Sequence, residues 1–144
     1  MASGVLTPSI TIKTNRLTKF TCKYCRVALT DEIAELQDHS LLDESDGEPH
    51  VPNGYFYLSQ GEYWTTSAGN YLINFADLKN TKHHWDTKRL QGCCGLDGTN
   101  GKNLLCINNH EIGREHSDCW SAHFAEFEPA DVIKVEIETN THGH

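Results

Sequence analysis

The sequence has no apolar run long enough to cross a bilayer, and no cationic segment leading into an apolar stretch near its start. These two absences make a soluble, cytoplasmic protein the expectation. Clustered basic residues are missing as well: 12 Lys and Arg are scattered among 20 Asp and Glu, for a net charge of −8. A phosphate backbone is held by a concentrated positive patch, so nucleic acid is not an expected ligand. There is no repeat at solenoid spacing and no low-complexity tract, and 144 residues suit a single domain with a core of its own. That domain is expected over 1–144, compact over 8–138, with a frayed tail over 139–144.

What the chain does contain is six cysteines. In a reducing compartment these serve metal binding or catalysis before disulfides. Cys22 and Cys25 form a C-x-x-C at the end of a predicted strand, where a tight turn aims two sulfurs at one tetrahedral ion. A thioredoxin-type dithiol would instead open a helix inside a βαβ pattern, and that pattern is absent. A structural Zn2+ is therefore the expected cofactor. No cysteine lies between Cys25 and Cys93, so the remaining ligands have to come from the second half of the chain.

Cys106 is the third candidate ligand, because residues 103–113 read as a second knuckle: a strand enters, turns polar, and leaves on Ile112 and Gly113. Asn109 stands where the partner ligand would be, which makes His110 the nearest substitute; the alternative for His110 is a solvated loop histidine. Cys94, or its neighbour Cys93, competes for the fourth position, the plainer role of both being to pack under a glycine-rich loop. Cys119 reads as a buried structural thiol, with a second metal or a thiolate–imidazole pair with His123 as the alternative. His83, His84, His142 and His144 sit in polar segments where histidine is ordinary.

Alternation and aromatic content predict strands over 9–13, 17–22, 55–58, 71–75, 104–105, 122–127 and 132–138, the last with Ile133, Val135 and Ile137 on one face. Residues 31–38 suit a short helix started by Thr30, or else a turn and strand. Segment 43–54 reads as an exposed loop, 80–89 as a polar connection, and 92–101 as a compact glycine-rich loop. Trp64, Trp85 and Trp120, with Tyr55, Tyr57, Tyr63 and Tyr71, are expected to fill the core rather than line a pocket. The sum is a mainly β, antiparallel fold with at most a short helix.

Two resemblances follow from these residues. Gly92-Cys93-Cys94-Gly95-Leu96-Asp97-Gly98, then Gly101, Asn103, Cys106, and Asp118-Cys119-Trp120, resemble a family of small bacterial zinc-knuckle proteins with no established activity, over roughly residues 20–128. Members of that family often carry a second C-x-x-C, from which Asn109 departs. In architecture the chain is similar to the zinc-stapled β-tent of methionine-R-sulfoxide reductases, formaldehyde-activating-enzyme-like proteins and Yippee or cereblon-type domains, which implies two distant knuckles sharing one zinc. Fold alone carries no function.

The expected function is a structural-zinc β module that binds a protein or small ligand through its aromatic face or the 92–101 loop. The rivals are a thiol-dependent redox or hydrolytic enzyme using Cys119, Cys93 or Cys94, and an inhibitory or immunity-type partner protein.

Overall fold

The computed structural model describes residues 14–140. The strand expected over 9–13, together with His142 and His144, lies outside them. Nine strands follow one another: β1 (Thr14–Cys22), β2 (Ala34–Glu35), β3 (Tyr55–Leu58), β4 (Tyr71–Ile73), β5 (Thr81–His83), β6 (Leu104–Cys106), β7 (Glu111–His116), β8 (Phe124–Phe127) and β9 (Val132–Asn140). The helical content among the described residues consists of short 3-10 turns, so the molecule is mainly β. Residues 31–38 are extended rather than helical, because Ile33 bridges Thr18 of β1 and Ala34 starts a strand alongside β3. Ile33 is thereby drawn into the core, which outweighs the weak local helix signal.

Strands β1 and β9 form a long antiparallel ribbon in unbroken register from Thr14↔Asn140 to Cys22↔Val132. Residues 139 and 140 thus belong to a strand, not to a frayed tail. The other seven strands make one sheet in the order β2-β3-β4-β8-β7-β6-β5, antiparallel except for the β2–β3 pair. The ribbon covers one face of this sheet. Phe20 of β1 meets Phe56 edge-on at 5.1 Å and Phe127 at 5.9 Å between ring centroids, while Ile73, Leu104, Ile112 and Ala125 complete that core. Side chains alternate across a strand, so Tyr57, Leu72 and Phe124 point to the opposite face. There they pack with Val51, which makes the 43–54 loop part of a core layer and not merely an exposed connection.

The ribbon turns the opposite way from what its apolar alternation predicts. Its core face carries Phe20, Cys22 and Val132, while Ile133, Val135 and Ile137 share the other face with Leu17 and Thr21, leaving Val135 37% exposed. Lys134 lies on the core face and extends its ammonium over the Phe56 ring, 5.4 Å from the centroid. A long stem that covers apolar surface while its charge rests on a π-face is compatible with such a position.

Strands β5 and β7 arise from segments that read as polar. Thr81–His83 pairs along its edge with β6, and Glu111–His116 is clasped between β6 and β8, where only Ile112 is a large apolar residue. The three tryptophans do not fill the core: Trp64 is 41% exposed, Trp85 74% and Trp120 73%.

Candidate metal centre

The metal-ligand candidates sit where β1 and β6 run out. After Cys22 the chain turns so that Arg26 N–H donates to Cys22 C=O, with Arg26 in the left-handed region at φ 69°. After Cys106 a second turn closes with Asn109 N–H on Cys106 C=O, and Asn109 takes φ 71°. Asn tolerates that conformation better than most residues. The left-handed step lets His110 swing back toward the strand end.

Cys22, Cys25, Cys106 and His110 come together, each ligand atom within 4.8 Å of every other. Cys25 Sγ lies 3.7 Å from Cys106 Sγ, Cys22 Sγ 3.7 Å from His110 Nδ1, and Cys106 Sγ 3.3 Å from His110 Nδ1. A tetrahedron with metal–sulfur bonds of about 2.3 Å has edges of about 3.7 Å, so the group has the dimensions of a four-coordinate site. Cys22 and Cys106 are fully buried, with Cys25 and His110 half-buried.

Donors surround the sulfurs. Tyr24 N–H points at Cys22 Sγ (3.4 Å), Asn108 N–H at Cys106 Sγ (3.3 Å), and the Asn108 side-chain amide at Cys25 Sγ (3.3 Å). Such hydrogen bonds favour thiolate over thiol. The Asn108 amide, aided by Val27 N–H, holds the Cys25 thiol down at about 6, whereas burial pushes Cys22 up to about 11. Cys25 is therefore the sulfur ready for a cation at neutral pH. Around the group, the Tyr24 ring lies 5.3 Å from the His110 ring and its hydroxyl donates to Asp131, which also pairs with Lys102 at 2.5 Å.

Cys94 does not reach this group. It is bonded to Cys119, with Cys93 beside them as a free, exposed thiol, and these three sulfurs form a second cluster within 4.8 Å of one another. Cys119 is thus neither buried nor free. The 92–101 loop is stitched along 117–118 and cannot deliver Cys94 to the end of β1: Ser117 N–H and Asp118 N–H both donate to Leu96 C=O.

The same loop borders a cleft of about 580 Å³ on the sheet face opposite the ribbon. Trp64 forms one wall, Asp97, Gly98 and Thr99 another, and Arg114, His116 and Glu126 the floor. His116 Nε2–H donates to Glu126 Oε1 at 2.8 Å, and the Asn70 amide donates to Oε2 at 2.6 Å. Burial pushes the Glu126 carboxyl up, but the His116 and Asn70 hydrogen bonds outweigh it and hold the group below its ordinary range. The His116 ring stacks on Phe124 at 4.3 Å, with the Trp64 ring nearly parallel to it at 6.4 Å. Gly98, at φ +71°, presses on His116 so closely that a Cβ there would stand 2.8 Å from Cε1. No sequence motif singles out His116 and Glu126. The available signal was Glu126 itself, one acid within Phe124-Ala125-Glu126-Phe127, since a carboxylate in a buried strand requires a partner.

No family model, no curated protein and no solved structure matches this chain. The resemblances drawn from its motifs therefore lend nothing further to the site, and no helix among the described residues is long and apolar enough to cross a membrane.

Proposed function

We propose that this chain is a zinc-stapled β domain that holds a small polar molecule in the cleft between Trp64 and the 92–101 loop. The observation that carries the reading is the convergence of Cys22, Cys25, Cys106 and His110 at tetrahedral spacing. Three sulfurs and one imidazole suit Zn2+ among the divalent ions, and with all four positions taken by protein the ion is structural. When bound, Zn2+ supplies a fixed junction between the turn after β1 and the turn after β6. The chain's own contribution is to stabilise the thiolates and orient the sulfurs through Tyr24, Asn108 and Val27.

The cleft supports the ligand-binding half of the proposal. The carboxylates of Asp97, Glu126 and Glu128 border it against one guanidinium, Arg114, which is paired with Glu128 at 2.5 Å. A neutral or cationic polar molecule with a flat face for Trp64 fits this balance better than an anion does. The thiol-enzyme reading draws less support, since Cys119 is bonded to Cys94 and no histidine nitrogen is hydrogen-bonded to Cys93 among the described residues.

Native mass spectrometry with and without a chelator tests the metal: one zinc per chain is expected, and a chain purified without any would overturn it. Titration with small aromatic amines, followed by Trp64 fluorescence against Trp64→Phe, tests the cleft. Signals that respond equally in both proteins would remove the cleft from the proposal.

A further inference from the structure

The second sulfur cluster is held together by much more than its disulfide. The Asp118 carboxylate accepts from three cysteine backbones at once: Cys93 N–H on Oδ2 (3.2 Å), Cys94 N–H on Oδ1 (3.2 Å) and Cys119 N–H on Oδ1 (2.7 Å). Next to it Leu96 C=O takes the N–H groups of Ser117 and Asp118, and the Ser117 hydroxyl accepts Leu96 N–H at 3.0 Å. Gly95 sits so close to this strip that a Cβ would lie 2.0 Å from Ser117 O. These contacts keep residues 93, 94 and 119 side by side independently of the disulfide, so opening the Cys94–Cys119 bond would leave three thiols converging on one point.

We propose that Cys93, Cys94 and Cys119 form a redox-gated site for one Cu(I) ion, closed while Cys94 and Cys119 are joined and open once they are reduced. A dithiol supplies the reduction: its two sulfurs become a disulfide, the Cys94–Cys119 bond breaks, and two electrons and two protons end on Cys94 and Cys119. Uptake then forms three Cu–S bonds and releases three thiol protons, with no change in the oxidation state of copper.

The choice of ion rests on the donor set. Soft thiolates select Cu(I), Zn2+ or iron–sulfur clusters, and the latter two are completed by four ligands. Among the described residues the cluster offers three. The Asp118 carboxylate is spent on the backbone, and His123 turns Nε2–H onto Asp118 C=O at 3.2 Å. Three-fold coordination by sulfur is a geometry that Cu(I) accepts. All three cysteines are exposed, in contrast to the buried sulfurs of Cys22 and Cys106, so an ion held here can be exchanged with a partner in solution.

The test uses the full zinc-loaded chain under anaerobic conditions, before and after reduction with dithiothreitol and its removal, titrated with Cu(I) held by bicinchoninate. Metal content is read by native mass spectrometry. The reduced chain is expected to gain one copper and keep its zinc, the oxidised chain to gain none, and reduced Cys93→Ser to bind copper about tenfold or more weakly. Zinc retention in Cys93→Ser reports that the variant is folded, and its disulfide is untouched. The proposal is overturned if the oxidised chain binds copper equally well, if the reduced chain takes none, if Cys93→Ser matches the parent, or if copper enters only as zinc leaves.

Discussion

His110 closes the ligand group from a turn whose shape depends on a left-handed Asn109. Replacing either Cys25 or Cys106 by Ser should abolish zinc binding, measured as metal content after gel filtration. His110→Ala leaves three sulfurs, and its zinc affinity should fall clearly but less than in the cysteine variants, whereas His83→Ala should change nothing because that ring is exposed and pairs with Glu115, away from the ligand group. In the cleft, Gly98→Ala combines a strained φ with a collision against His116, and should cost about 1–3 kcal/mol in chemical denaturation. Glu126 adds a pH dependence. Its folded carboxyl lies below the unfolded value of about 4.3, so its stabilising contribution is complete above that value and is lost as pH falls through the folded one. The stability gap between the parent and Glu126→Gln should therefore be constant from pH 6 upward and narrow below about pH 4.3. A gap that instead widened in acid would contradict the hydrogen-bonding geometry described for Glu126 with His116 and Asn70.

Individual strands were legible in proportion to their apolar content. Tyr55–Leu58, Tyr71–Ile73 and Phe124–Phe127 announce themselves through aromatic and branched residues, and so does the length of β9. Strands β5 and β7 were not legible, because an edge strand needs few apolar residues and a central one can satisfy its backbone while its polar side chains pair, as His84 does with Glu111 and His116 with Glu126. The same logic reversed the ribbon: one aromatic, Phe20, outweighs the alternation of Ile133, Val135 and Ile137 in choosing which face turns inward. The knuckle at Cys22 and Cys25 could be read locally, whereas the bond between Cys94 and Cys119 depends on the Asp118 scaffold, which spacing does not reveal. A paired substitution checks the ribbon's orientation. Phe20→Ala should destabilise by about 3–5 kcal/mol, while Val135→Thr on the outer face should stay within about 0.5 kcal/mol.

At the scale of the molecule, the metal ligands join segments 81 positions apart between Cys25 and Cys106. Closing a loop of that size costs the unfolded chain about 4–5 kcal/mol of entropy, a term that coordination would offset in the native state. Chelation should therefore lower the thermal midpoint of the ribbon and the sheet together, seen as one coincident transition by far-UV circular dichroism and tryptophan fluorescence. Two separate transitions would mean that the ion stabilises only its own turns.

The ribbon register also decides how the chain responds to mechanical load. Because Thr14 faces Asn140 at the far end of the described ladder, pulling the two strands apart there strains the ladder one pair at a time, as a zip, and does not load its hydrogen bonds in parallel. Such peeling needs little force over the outer pairs, and at Cys22 opposite Val132 a bound ion would make the next link a metal–thiolate bond rather than a hydrogen bond. A stretched molecule with the ion bound should thus yield softly along the outer pairs of β1 and β9 and then stop abruptly, the ion acting as a mechanical clasp at the base of the fold.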